Sequence, residues 1–400
     1  MKSMRELLLP QAPVEQQPES VSEPEPIVTA VHSQRQLVWA RFRRHRAGFV
    51  FGIVLLVLVL LVLFGEFLSP YTATNFHADS QDLAYDYIPP MIGWIHFDGL
   101  RPFVYGLQRT YNPLTGVKGY AEDTSQKYYL RFFVQGEPYQ FLGLFRTDLH
   151  FFGAGQPSAS PGQLFLFGTD RFGRDLLSRT LIGGQISLGI GVLVVGISFA
   201  FGILLGGLSG YYGSGVDTLI QRTVEVAMSL PRLALLLALS AALPTELPAS
   251  TRFWGIALIL MLVAWAPLAR VVRGQFLALR EEGFVQAARA LGFSDMRIIF
   301  KHIVPNTFSY LIVSATLSVP SVILLESVLS YFGFGIQEPL VSWGLLMGDL
   351  QQNFQYQIQF HPWLLIPGFF IFVGVLSINY VGDALRDAVD PFTVTTSERS

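Results

Sequence analysis

The residues that could do chemistry in this chain are a few charges set in apolar surroundings and one polar segment between apolar runs. Glu326 follows the uncharged run Ile303–Leu325. An acid at membrane depth faces a pore or pairs with a cation by default, and the amino terminus of a peptide is one such cation. Its place at the end of a run also allows a hydrogen bond to an outer loop, and that structural reading is preferred. Glu225 and Arg232 are two turns apart, beyond the usual i,i+4 reach, whereas Arg222 and Glu225 are spaced to pair on a helix. Such charges fix the cytoplasmic side of a helix bundle more readily than they touch cargo. Pro231 is expected to kink its helix, which bears on gating. Glu326, Pro231 and Glu225 are therefore the candidates for a translocation path or gate.

Other chemistries are excluded. The chain has no cysteine, so it forms no disulfide, thiolate metal site or cysteine nucleophile. Its histidines are scattered without ligand spacing. Asp170 and Asp175 lack neighbouring carboxylates and read as partners of Arg171, Arg174 or Arg179, so no metal site is expected. No Ser/His/Asp elbow marks an enzyme. No G-x4-G-K-[ST] phosphate loop occurs, so ATP hydrolysis must reside on a partner, or energy must come from an ion gradient.

The polar segment runs from Glu282 through Gly292 to Pro305. Phe284, Ala287, Ala288 and Leu291 fall at i, i+3, i+4 and i+7, one stripe of an amphipathic helix. Glu281 and Glu282 favour the dipole at its start, and Gly292 is placed to cap its end. Two alanines in the stripe let another surface approach closely. So short a helix must pack against something, either its own membrane domain or a partner in the water.

These residues must be positioned by membrane helices. Only 14% of the 400 residues are charged, 51% are hydrophobic, and mean hydropathy is +0.43; a soluble protein has about a quarter charged. Uncharged runs cover Ala47–Gly65, Thr180–Val216, Phe253–Ala269, Ile303–Leu325 and Leu350–Gly382, and a helix needs roughly 20 apolar residues to span a bilayer. A sixth span, Leu219–Leu243, carries charges in its cytoplasmic half. The fold class is an all-α polytopic membrane protein with six transmembrane helices.

Arg41, Arg43, Arg44 and Arg46 precede the first span and place the N-terminus in the cytoplasm. Six spans then put Arg270–Lys301, with its six basic residues, inside, and Gln337–His361, which has neither Lys nor Arg, outside. Without the sixth span these two loops would exchange sides. The expected division is a disordered cytoplasmic tail over 1–40, rich in Pro, Glu and Gln over Gln11–Pro26; a first transmembrane helix over 41–69; a mixed or irregular extracytoplasmic insertion over 70–180; a five-helix core over 181–391; and a cytoplasmic tail over 392–400. Tyr128–Val134 and Tyr139–Phe145 are strand-like pieces of the insertion. Ala47–Gly65 is too long for a cleavable signal and reads as an anchor. The glycines from Gly183 to Gly210, including Gly189 and Gly196, are expected to let helices pack closely.

Residues Gln286-Ala287-Ala288-x3-Gly292-x12-Pro305 resemble the EAA loop of bacterial ABC importer permeases, with Gln286 at the usual Glu position. Phe167-Gly-Thr-Asp-Arg-Phe-Gly-Arg-Asp-Leu-Leu-Ser-Arg179, Gly210-Tyr-Tyr-Gly-Ser-Gly-Val-Asp217, Glu326-Ser-Val-Leu-Ser-Tyr-Phe-Gly-Phe-Gly335 and Gly382-Asp-Ala-Leu-Arg-Asp-Ala-Val-Asp-Pro391 are similar to the second permease of dipeptide and oligopeptide importers. Glu338 and Val341 stand where many relatives have Pro.

The resemblance implies a type I importer permease fold in a bacterial inner membrane, with both termini cytoplasmic. It also implies a transport subunit rather than an enzyme. Its partners would be a second permease, two cytoplasmic ATPases carrying ATP and Mg, an extracytoplasmic binding protein and a short peptide, with no nucleic acid and no cofactor on this chain. Residues 282–293 would be the coupling helix, with Glu282, Phe284, Gln286, Ala287, Ala288, Leu291 and Gly292 meeting the ATPase. Similar subunits import nickel chelates or oligosaccharides. From a different class, an ion-gradient-driven transporter would show repeats, broken helices and an ionisable relay; no clear repeat is visible. A sensor built around the insertion would not need the 286–305 segment.

Overall fold

The computed structural model describes residues 34–74, 86–111, 118–154, 164–244 and 246–389. The expectations for tail residues 1–33 and 392–400 lie outside the described residues. The described residues begin with three helices, α1 (Gln34–Arg44), α2 (Arg46–Leu63) and α3 (Gly65–Leu68). Strands β1 (His96–Asp98), β2 (Arg101–Tyr111), β3 (Lys118–Tyr129), β4 (Arg131–Phe141) and β5 (Phe145–Gly153) follow. The helical part then comprises α4 (Leu176–Tyr212), α5 (Ser214–Ser229), α6 (Arg232–Ala241), α7 (Ala249–Leu279), α8 (Gly283–Ala290), α9 (Asp295–Ile298), α10 (Val304–Tyr331), α11 (Trp343–Met347), α12 (Phe354–Phe360) and α13 (Ile366–Val389), with a π-helical link at Ile299–Ile303.

Among the described residues, five helical segments are long and apolar enough to cross a membrane, and α5 and α6 pass the same test only as a pair bent by 83°. Contacts at their two ends show what this pair does. Tyr211, at the end of α4, shares a buried cluster with Phe276 near the end of α7. At the other end of α7, Arg252 Nε donates to Gly335 O at 3.2 Å. The chain just beyond Gly335 packs at the start of α4, where the Trp343 indole N–H donates to Thr180 O at 2.8 Å. The polypeptide therefore changes ends of the bundle between Tyr211 and Arg252, and α5–α6 makes that crossing. The bend falls at Leu230–Pro231, where proline lacks the N–H that would continue the helix.

The bundle core joins Ile190 and Val194 of α4, Leu236 of α6, Ile256 and Leu260 of α7, and Val322 and Leu329 of α10. Glycine sets the α4–α7 spacing: a Cβ on Gly207 would lie 3.1 Å from the Phe276 ring, and one on Gly210 would lie 2.8 Å from Arg273 O. Gly189 and Gly196, expected to serve packing too, would place a Cβ in open space.

Residues 34–40, expected to be tail, are helical, because Val38 and Phe42 meet Ala384 and Ala388 of α13. Among its described residues the insertion, expected to be mixed or irregular, holds the five strands and a 3-10 turn at Met91–Trp94. β1–β2–β3 form an antiparallel sheet and β4–β5 an antiparallel hairpin. The two strand-like pieces run across breaks between strands, one from β3 into β4 at Leu130 and the other across the three-residue turn after Phe141. Val104, Leu107 and Tyr128 of the sheet cover Ile88, Met91, Leu164 and Phe165 in a separate small core.

Candidate functional site

Helix α8 projects from the end of the bundle opposite the insertion. Glu282 is its N-cap residue in extended conformation, and its carboxylate makes no capping bond. Gly292 closes the other end at φ +74°, with Gly292 N–H donating to Arg289 O and Phe293 N–H to Ala288 O. That pair of bonds is a Schellman motif, which a glycine without Cβ adopts at least cost.

The two faces of α8 differ. Val285 and Ala288, three residues apart, are buried against Tyr211, Phe276 and Ile298. Phe284, Gln286, Ala287 and Leu291 are exposed, Phe284 at 40% and Leu291 at 74%. Ala288 thus leaves the outward stripe expected from its spacing and joins the anchoring face, while Phe284, Ala287 and Leu291 remain as a bare apolar strip. Gln286 Nε2 lies 3.4 Å from Arg280 O, a marginal bond back to the end of α7.

The anchoring extends beyond α8. Tyr211 Oη donates to Asp295 at 2.7 Å, and the Arg289 guanidinium lies over the Tyr211 ring. Arg297 lies over Phe293, whose ring stacks with His302. Arg280 Nη1 reaches Gly210 O at 3.3 Å. Arg273 and Asp217 form a two-point ion pair. The Ser209 hydroxyl donates to Asp217 and accepts from Gln221 Nε2. α4, α5, α7 and α8 are thereby tied at one end of the molecule. Sequence reasoning missed the Arg273–Asp217 pair, although Asp217 sits in one of the motifs quoted above.

The remaining candidates lie apart from α8. Glu225 is exposed and pairs with Arg222 at 2.8 Å, as its spacing predicted. Pro231 is exposed at the α5–α6 bend. Glu326 is 0% exposed. Ser330 Oγ donates to its carboxylate at 2.6 Å, and Ser187 Oγ lies at 3.3 Å. The Ser187 hydroxyl accepts the Trp343 amide at 3.0 Å. Glu326 therefore links α4 and α10, and through Ser187 the start of α11, within this chain.

At that same end, Asp170, Arg174, Arg179 and Glu338 form one cluster. Arg174 bridges Asp170 at 2.7 Å and Glu338 at 3.0 Å, and Arg179 meets Glu338 at 2.7 Å. Arg171 pairs with Asp349 at 3.0 Å. Asp175 instead caps α4, accepting Ser178 N–H at 2.7 Å, and its Oδ1 has no partner. Burial pushes its carboxyl up to about 7 against the Ser178 bonds. Among the described residues no group of three His, Cys, Asp or Glu could hold a metal ion.

Comparison with known proteins gives two family matches. Residues 202–394 match the binding-protein-dependent transport system inner membrane component. Residues 33–90 match the N-terminal TM domain of oligopeptide transport permease C. Neither match includes 91–201, where all five strands lie. The chain is 42% identical over 226 residues to the oligopeptide transport system permease protein OppC of Haemophilus influenzae, covering 56% of this chain and 70% of that protein. It is 37% identical over 232 residues to OppC of Bacillus subtilis, covering 58% and 73%. Over 227 residues it is 40% identical to the dipeptide transport system permease protein DppC of Alkalihalophilus pseudofirmus, covering 56% and 71%.

Proposed function

Because this chain belongs to the family of inner-membrane components of binding-protein-dependent transport systems, we propose that it is one of two permeases of an ATP-driven peptide importer. The relatives' names, oligopeptide and dipeptide permeases, support peptide as the cargo class. In this reading the chain pairs with a second permease, receives cargo from an extracytoplasmic binding protein, and is driven by two cytoplasmic ATPases that carry ATP and Mg. Both termini are cytoplasmic, and the chain is itself not an enzyme.

The observation that carries the coupling role is the two-faced α8. Its strip of Phe284, Ala287 and Leu291 is open to a partner, while Val285 and Ala288 fasten it to α4 and α7. Residues 282–293 act as the coupling helix seated on an ATPase. Glu282 and Gln286 flank the strip as polar contacts, and Gly292 fixes where the helix stops. Movement of α8 reaches α4 and α7 through Tyr211 and Phe276, and α5 through Arg273 and Asp217. Pro231 lets α5 tilt relative to α6, so the bend is the gate, with the exposed Glu225 on its mobile half. Glu326, enclosed by Ser187 and Ser330, holds α4 to α10 and does not contact cargo.

The functional division is a first span over 41–69, an extracytoplasmic insertion over 70–180 and a permease core over 181–391. Uptake of labelled di- to hexapeptides into proteoliposomes holding the complete transporter tests the reading. Uptake must require both ATP and the ATPase subunits; uptake driven by an ion gradient without them contradicts it.

A further inference from the structure

The β4–β5 hairpin ends in Phe141-Leu142-Gly143-Leu144-Phe145, with Phe141 paired to Phe145 across a three-residue connection. Leu142 and Gly143 both adopt positive φ, 50° and 70°. In water such positions are filled by Gly, Asn or Asp. Here the whole turn is apolar, and Leu144 and Phe145 are 78% and 58% exposed.

The position of the turn tells what covers it. α2 holds 18 residues, so at about 1.5 Å per residue it rises roughly 27 Å, close to the ~30 Å hydrocarbon thickness. Phe64, which follows it, stands at the bilayer boundary on the side away from α8. The hairpin folds back along the chain leaving that span. Far from the turn, His150 Nδ1 meets Ser69 O at 2.6 Å, and Thr72 Oγ1 donates to Glu137 at 2.7 Å. Phe67 also packs towards the open end of the hairpin, its ring 5.9 Å from the Phe151 ring. At the turn, Leu142 N–H donates to Glu66 Oε2 at 3.0 Å and the Phe141 ring lies 5.8 Å from Phe64. Within the hairpin, the turn is therefore the part that meets the residues next to the first span, Phe64 and Glu66. The Phe141–Phe64 contact brings the turn's exposed side chains beside Phe64 and the exposed Leu60 and Leu63 at the end of α2. A cleft of about 280 Å³ between the two is lined almost wholly by apolar groups, among them Phe67, Tyr139 and Leu149.

We propose that the Phe141–Phe145 turn is seated in the bilayer leaflet opposite α8, its Leu and Phe side chains among the lipid acyl chains. Phe and Leu side chains on interfacial segments bury about 5–10 Å into the headgroup–acyl boundary, and a surface beside a lipid-facing helix meets the same solvent. The hairpin is then a second anchor that fixes the insertion against the membrane plane beside the first span.

The cysteine-free sequence makes the test direct. A nitroxide on Leu144→Cys is compared with one on Leu100→Cys, at the exposed β1–β2 connection, in the full chain with its accompanying subunits in liposomes. The unsubstituted preparation supplies the labelling background. The expected result is relaxation of the Leu144 label by oxygen several-fold more strongly than by a water-soluble nickel chelate, with the opposite order at Leu100. Strong relaxation of the Leu144 label by the chelate places the turn in water and overturns the proposal. Shielding from both reagents assigns the turn to a protein interface and overturns it equally.

Discussion

Arg273 and Asp217 join the last turns of α7 to the first turn of α5 by two contacts, Nε to Oδ1 at 2.5 Å and Nη2 to Oδ2 at 2.7 Å. Paired contacts between a guanidinium and a carboxylate fix direction as well as distance. Asp217 also takes the Ser209 hydroxyl, so α4, α5 and α7 meet at one carboxylate close to the root of α8. In the proposed coupling, a push on α8 would be delivered to the bent crossing helix through this joint.

Removing the joint should separate stability from coupling. Both partners are partly solvated, so Asp217→Asn is expected to cost only about 1 kcal/mol of stability. Peptide uptake should fall at least tenfold while ATP hydrolysis by the assembled transporter continues. Parallel uptake and hydrolysis assays check this, and equal losses of both would contradict the transmission role.

Gly210 should be intolerant of bulk for a backbone reason. A Cβ there would lie 2.7 Å from the Phe276 Cβ and 2.8 Å from Arg273 O, and backbone cannot yield as a flexible side chain can. Gly210→Val is expected to destabilise by about 1–3 kcal/mol, the usual cost of overpacking. Gly196→Val, at a position with open space around it, should leave thermal stability within about 0.5 kcal/mol. Melting curves of the two variants make the comparison.

Much of this arrangement was legible in the sequence because its signals are local. Uncharged runs mark the spans, Arg222 and Glu225 pair at helical spacing, Pro231 marks a break, and Gly292 marks a helix end. What escaped reading depends on contacts far apart along the chain. Asp217 finds Arg273 56 positions away, and Arg179 finds Glu338 159 positions away. Periodicity gave α8 its apolar stripe but not the side that faces home. Val285, outside that stripe, turns Ala288 inward by packing beside it. The strand-like pieces of the insertion run across two breaks because apolar residues continue through both, at Leu130 and at Leu142 and Leu144.

Asp175 makes the end of the bundle near the insertion sensitive to pH. Burial raises its carboxyl to about 7 in the folded protein, against about 3.9 in an unfolded chain. The folded state therefore keeps a proton that the unfolded state releases. Stability contributed here is present below about pH 4 and is lost as pH rises towards 7. Asp175→Asn preserves a capping side chain and should flatten this fall. Melting temperatures from pH 5 to 8 test it; an unchanged slope in the variant would contradict the assignment.

Glu338 carries charge balance that Asp170 alone cannot supply, since Arg174 and Arg179 are both buried and both reach it. Glu338→Gln should lower stability by about 1–2 kcal/mol, less than for a fully enclosed pair because Glu338 is itself partly exposed. A melting temperature equal to that of the unsubstituted protein would show that the two arginines need no second anion.

In the proposed function, the outward strip of α8 meets an ATPase. A photo-crosslinking side chain placed at Leu291, and separately at Val285, in the complete transporter tests it most directly. An adduct with the ATPase subunit is expected from Leu291 and none from Val285, which faces Tyr211 and Phe276 inside the chain. Absence of any ATPase adduct from Leu291, with the transporter assembled and active, would contradict it.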